Sequence, residues 1–235
     1  MSNIFKSFIL KYKLQEIKWR DLVWLLILPL ININYVISNT LSKSGKNLAL
    51  PLDKEIPFVS LFVFPYVYWY IFIIVGLIFL LSKDRKEYLR ALMAIYIGMC
   101  ICFAFYYLYP VEISRPVVEN NTIPNKIVNI IYKNDRPFNC FPSIHVLNTY
   151  IIMRFTKIKD NKYWFYYTNI IGILIILSTL FIKQHFILDG VVAIILAEIV
   201  ILVVKKIEDK YVSYILSLPY KLLYRIKESK DITTI

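Results

Sequence analysis

The stretch HFILDGVVAIILAEIVILVV, residues 185–204, is an apolar run interrupted only by His185, Asp189 and Glu198 as ionisable groups. At about 1.5 Å of rise per residue, a helix of this length covers about 30 Å, the thickness of the hydrocarbon core of a bilayer. Working outward from it, further stretches of the same kind lie at 22–37, 58–82, 89–110, 143–157 and 163–182. The first is broken by Pro29, Asn32 and Asn34, and the fourth has only the short apolar segment from Ile144 to Met153 before Arg154. The expected fold is all-α: a polytopic membrane protein with a six-transmembrane-helix bundle at 22–204 as its single domain. An amphipathic leader at 1–21 and a basic tail at 205–235 flank it.

Composition agrees. Of 235 residues, 58% are hydrophobic and only 19% charged, with a mean hydropathy of +0.58, which excludes a water-soluble domain and a disordered chain. The net charge of +12 invites a nucleic-acid partner. The basic residues, however, alternate with apolar runs and form no single stripe, so they fit anionic lipid and membrane orientation, and no nucleic acid is expected. Most Lys and Arg fall before residue 22, at 83–90, at 154–162 and after 204. The opposite loops hold only Lys43, Lys46, Lys54, Arg115, Lys126, Lys133, Arg136 and Lys183. By the positive-inside rule both termini are cytoplasmic, and the loops 38–57, 111–142 and 183–184 face outward. Leu22 to Ile37 lacks a small-x-small cleavage site and is read as a retained first span. In the leader, Ile4, Phe5, Phe8, Ile9 and Tyr12 fall at helical spacing beside Lys6, Lys11 and Lys13, the pattern of a helix lying on the inner surface. The three cysteines cannot make a disulfide framework.

The chain has two histidines, His145 and His185. Tracing the spans puts both in the first turn of a helix that descends from the outer face, at one membrane depth. Asp189 follows His185 by four residues, on the same helix face, where its carboxylate can take the Nδ1 proton and leave Nε2 with a free lone pair. Ionisable groups within a span are costly and mark function by default, although a polar pair that fixes helix packing, or part of a metal site, would use the same residues. The approach to His145, DRPFNCFPSIH at 135–145, places Pro142 and Ser143 where a helix start favours proline and a capping hydroxyl. Such a start is an anion site. Ser143 can add a hydroxyl, Arg115 and Arg136 forked donors, and Lys183 a point charge two residues before His185, so phosphate is the natural ligand.

Pro142-Ser143-Ile144-His145, and Ser178 followed by His185 and Asp189, resemble the second and third motifs of the type 2 phosphatidic acid phosphatase superfamily, P-S-x-H and S-R-x5-H-x3-D. The resemblance runs over about residues 50 to 205. It implies six membrane helices, an extracytoplasmic active site, His185 as the nucleophile of a phosphohistidine, Asp189 as its orienting partner and His145 as the general acid. Thr179 stands where the third motif has arginine, and the first motif, K-x6-R-P, is represented only by Arg115-Pro116, with Leu108 in place of its lysine. Arg136 and Lys183 are the candidate replacements. The wording F-N-C-F-P-S-I-H and K-Q-H-x3-D is similar to the branch that includes inositol phosphorylceramide synthases and related bacterial proteins. The expected function is a metal-independent, cofactor-free phosphatase of the cell membrane acting on phosphatidate or polyprenyl-phosphate-like lipids. The alternative is a headgroup phosphotransferase of the same fold, and the bilayer is the partner in either case. A protein that only binds lipid phosphate, and a transporter, are the weaker rivals.

Overall fold

Asp84 ends one helix and starts the next. Its carboxylate accepts from the N–H groups of Lys86 and Glu87, satisfying two of the donors that every helix start leaves open. The charged residues Arg85, Lys86 and Glu87 are therefore helical, and the third expected span begins at Arg85 rather than 89. The computed structural model describes residues 19–156, 161–208 and 211. Its helices are α1 (Trp19–Leu22), α2 (Ile27–Leu41), α3 (Pro51–Glu55), α4 (Val63–Lys83), α5 (Arg85–Leu108), α6 (Ile123–Asn134), α7 (Ile144–Phe155), α8 (Lys162–Phe181) and α9 (Ile187–Lys206), with 3-10 turns at Val23–Leu26 and Ser60–Phe62. The expected leader, apart from 19–21, and the basic tail, apart from 205–208 and 211, lie outside the described residues.

Among the described residues, five helical stretches are long and apolar enough to cross a membrane: Trp24–Leu41, Ser60–Lys83, Arg85–Leu108, Lys162–Phe181 and Ile187–Lys206. The chain is a multi-pass membrane protein. The fourth expected span, 143–157, is instead the twelve-residue α7, about 18 Å long and too short to cross alone. It occupies the centre of the bundle, packed against α4, α5, α8 and α9. Glycine makes room for it. A Cβ added at Gly76 of α4, Gly98 of α5 or Gly172 of α8 would fall under 3.0 Å from Ile152, Leu147 and Met153 of α7 respectively, and Gly190 of α9 faces Val146. Between helices in lipid there is no hydrophobic gain, so close approach at small residues is what holds them together.

Polar contacts fix the two ends. At one, Arg85 Nε and Nη2 donate to the two oxygens of the Asp21 carboxylate at 2.7 and 2.8 Å, and the Tyr88 hydroxyl donates to the Asp21 carbonyl. Arg154 of α7 and Tyr150 both donate to Glu198 of α9, so that acid is a structural clamp between two helices. At the other end, loops 42–62, 109–143 and 182–186 gather. A parallel bridge joins Lys46 to Val111, where Gly45 lies so close to the Glu112 backbone that a side chain would collide with it. The expected loop 111–142 contains helix α6. Thr122 caps it and Pro124 opens it, and its inner face sets Val128 against Val63, Tyr66 and Ile182.

Candidate active site

The loop end of the bundle collects both histidines. His145 is the second residue of α7. His185 sits two residues before α9, in the turn that follows α8, and so precedes the helix instead of lying in its first turn. That turn is built on one carbonyl: the N–H groups of Gln184 and His185 both donate to Thr179 O, at 2.9 and 3.1 Å. Lys183 takes a left-handed φ of 50° to close it. The imidazoles come together, with ring centroids 6.1 Å apart.

His185 is 8% exposed, and its Nδ1 lies 2.8 Å from the Cys140 carbonyl oxygen and 3.4 Å from Asp189 Oδ2. A carbonyl only accepts, so Nδ1 carries the proton and Nε2 keeps its lone pair. The backbone of residue 140 is thus the nearer orienting group, with the carboxylate behind it. Asp189 is fully buried, and its Oδ2 also accepts from the Phe186 N–H at 2.8 Å, capping α9. His145 is sandwiched by aromatic rings of α4: Tyr66 stacks on it at 4.4 Å and 20°, and Trp69 lies 4.3 Å away. Its Nε2 is buried without a hydrogen-bond partner among the described residues.

A cavity of about 510 Å³ opens beside His185, lined by Asn47, Asp53, Lys54, Ser114, Arg115 and Lys183 among others. Arg115 is held from several sides. It donates to the Asp135 carbonyl at 2.5 Å and to Gln184 Oε1 at 2.6 Å, and its guanidinium lies 4.7 Å from the centre of the Tyr132 ring. Its Nε has no hydrogen-bond partner among the described residues. The Asp135 carboxylate stands 3.7 Å from the same guanidinium. Burial pushes that carboxyl above its ordinary value, against the pull of the Tyr35 hydroxyl and of Arg115. Lys183 donates to the carbonyls of Asp53 and Ile56, and Asp53 in turn accepts from the N–H groups of Leu50 and Ile187. Helix α3 is thereby clipped to the start of α9. Burial also pushes the Cys140 thiol well up, leaving it unreactive.

Of the cations named from sequence, Arg115 and Lys183 line this cavity and Arg136 does not. Arg136 donates to the carbonyls of Asn39 and Thr40, closing the end of α2, and lies over Phe138. Ser143 is also absent from the lining. It is fully buried, its hydroxyl accepts from the Val146 N–H as the cap of α7, and its own N–H donates to the Asp189 carbonyl. Asp53, Tyr66, Trp69, Tyr132, Gln184 and the Cys140 carbonyl also shape the site, with no role assigned to them from the sequence. Asp53 to Pro57 and the aromatic run Tyr66 to Tyr70 resemble the leading segment of the same bacterial sequences, although an aromatic belt at the membrane interface explains such a run as well, and Gln184 falls within K-Q-H-x3-D.

Comparison with known proteins follows the same lines. Residues 47–203 match the family model described as PAP2 superfamily. The crystal structure of Aquifex aeolicus LpxE superposes with a TM-score of 0.47 at 16% identity, covering 77% of this chain and 94% of that one. No curated protein matches the chain.

Proposed function

The chain belongs to the PAP2 superfamily, and from that premise we propose a metal-independent lipid-phosphate phosphatase that works through a phosphohistidine on His185. It is a membrane enzyme of the phosphatase kind acting on lipid. The observation that carries the finer reading is the pair of imidazoles at 6.1 Å, of which His185 lines a cavity together with Arg115 and Lys183 and has its Nε2 freed by a backbone carbonyl at Nδ1.

The chemistry is two in-line displacements at phosphorus. In the first, the Nε2 lone pair of His185 forms the N–P bond while the bond from phosphorus to the lipid oxygen breaks, and His145 gives its proton to that oxygen. The lipid alcohol departs. In the second, neutral His145 takes a proton from water, the water oxygen attacks phosphorus, the N–P bond breaks and inorganic phosphate leaves. Charge developing on the phosphoryl oxygens is met by Arg115, whose two terminal nitrogens, anchored on the Asp135 carbonyl and Gln184 Oε1, fix the guanidinium before reaction. Arg115→Ala is expected to lower kcat/KM by roughly 10²–10³-fold, in line with loss of one fixed charge-stabilising donor. Arg115→Lys recovers only part, because an ammonium cannot span both Asp135 and Gln184. Steady-state phosphate release checks both.

The charge asymmetry of the loops supports an active site on the outer face of the cell membrane. Transfer to an alcohol in place of water is the second reading, favoured by the cavity of about 510 Å³, larger than a phosphate and a water fill. The deciding experiment offers purified protein phosphatidate and a short polyprenyl phosphate with EDTA present. Release of inorganic phosphate supports the hydrolase, and a requirement for added divalent ion overturns the metal-free mechanism. Phosphodiester formed only on addition of an alcohol selects the transferase.

A further inference from the structure

Tyr66 and Trp69 lie three residues apart on one face of α4. Each is only 6% exposed, whereas Tyr70 beside them is 59% exposed. An aromatic belt at the membrane interface needs rings that reach the headgroups, which suits Tyr70 and leaves the buried pair unexplained. A buried tryptophan ordinarily finds a partner for its N–H. Trp69 Nε1 has none among the described residues, so the position uses the indole for its ring. That ring lies 4.3 Å from the His145 imidazole at an interplanar angle of 38°, and the phenol of Tyr66 stacks on the imidazole at 4.4 Å and 20°.

An acid must hold its proton, and most of what surrounds His145 does not help. Burial and the neighbouring His185 both work against the charged form. Among the described residues its Nε2 has no hydrogen-bond partner, and it has no carboxylate of the kind His185 has in Asp189. On the elements packed around α7, Asp189 of α9 binds the Phe186 N–H and faces His185, and Glu198 of α9 holds Arg154 and Tyr150. Tyr106 of α5 donates to the Pro142 carbonyl, and Tyr68 of α4 bonds with Tyr167 of α8. The two ring faces are left. A π-face attracts a cation far more than a neutral ring, so both favour imidazolium over imidazole.

We propose that Tyr66 and Trp69 are positioning residues for the acid step, whose π-faces hold the proton on His145 until the leaving lipid oxygen takes it. The inference rests on the phosphatase reading, with His145 as the acid, and adds to it what keeps that acid charged. Indole presents the strongest cation-binding face of the aromatic side chains, so Trp69 carries the larger share. Removing either ring favours the neutral imidazole, and the titration of His145 then moves down by about half to one pH unit.

The test uses the full chain, without an affinity tag, carrying His185→Ala, which leaves His145 as the only histidine of the sequence. With histidine labelled in ¹⁵N, its titration is followed by NMR in detergent micelles. Trp69→Leu and Tyr66→Leu are each expected to lower the midpoint by about half to one pH unit, and Trp69→Phe by less. Tyr66→Phe, which keeps the face and removes the hydroxyl, is expected to leave it nearly in place. A merely structural role gives the opposite sign, because a loosened site admits water and favours the charged form. Incorporation of 5-fluorotryptophan, which draws electrons from the indole and nearly keeps its shape, is the second measurement and is expected to lower the midpoint in the same direction. A midpoint that stays or rises with the leucine variants and with the fluorinated indole overturns the proposal. In protein that keeps His185, Trp69→Leu is expected to move the alkaline limb of kcat/KM for phosphatidate down by the same interval, and to leave that for p-nitrophenyl phosphate in place. A midpoint lowered as expected, in a protein whose wild type releases no phosphate, would sink the phosphatase and leave the ring effect standing. Phosphate release with an unmoved midpoint would do the reverse.

Discussion

The His185→Ala protein is expected to lose phosphate release by roughly 10⁴-fold or more, because the group removed is, in the proposed mechanism, the one that forms the bond to phosphorus. The fold should survive. The imidazole makes one close hydrogen bond, to the Cys140 carbonyl, worth about 1 kcal/mol. The turn that carries it is held by backbone bonds to Thr179, which alanine keeps. Two measurements separate chemistry from folding: thermal unfolding in detergent, expected to be nearly unchanged, and acid-quench trapping of label from a ³²P-lipid, expected only with His185 present. Turnover retained by the variant would remove His185 as the nucleophile.

The second large effect belongs to His145→Ala. A lost general acid costs roughly 10²–10⁴-fold when the leaving group is a poor one such as a lipid alcohol. It costs much less with p-nitrophenyl phosphate, whose phenolate departs unaided. The diagnostic result is therefore the difference between substrates, read as kcat/KM for each. An equal loss on both would show that the imidazole acts only by filling the space between Tyr66 and Trp69.

Much of this architecture was legible in the chain. Long apolar runs announce α4, α5, α8 and α9, because a twenty-residue helix in lipid needs little beyond its own composition. Pro142, Ser143, His145, His185 and Asp189 were visible as helix-start and titratable residues, and they do converge at one end of the bundle. What could not be read depends on partners remote in sequence. The nearest acceptor for His185 Nδ1 is a main-chain carbonyl of residue 140, and every residue type has one. Arg115 and Arg136 lie in one loop and look alike as letters. One faces the cavity and the other closes α2, a choice made by Gln184 and Tyr132 on one side and Asn39 on the other. Helix α6 was within reach, since Thr122 and Pro124 mark its start, but its segment is too polar to register as a span.

The socket of glycines around α7 has a consequence for how the protein is made. A helix of twelve residues with Asn148 and Thr149 buried along it offers the insertion machinery a weak signal of its own. Its seat is supplied by α4 and α5, synthesised before it, and by α8 and α9, synthesised after. The element that carries His145 thus gains its full seat only once α9, which brings Gly190 against Val146, has emerged and docked. A chain cut before α9 leaves one wall of that seat open.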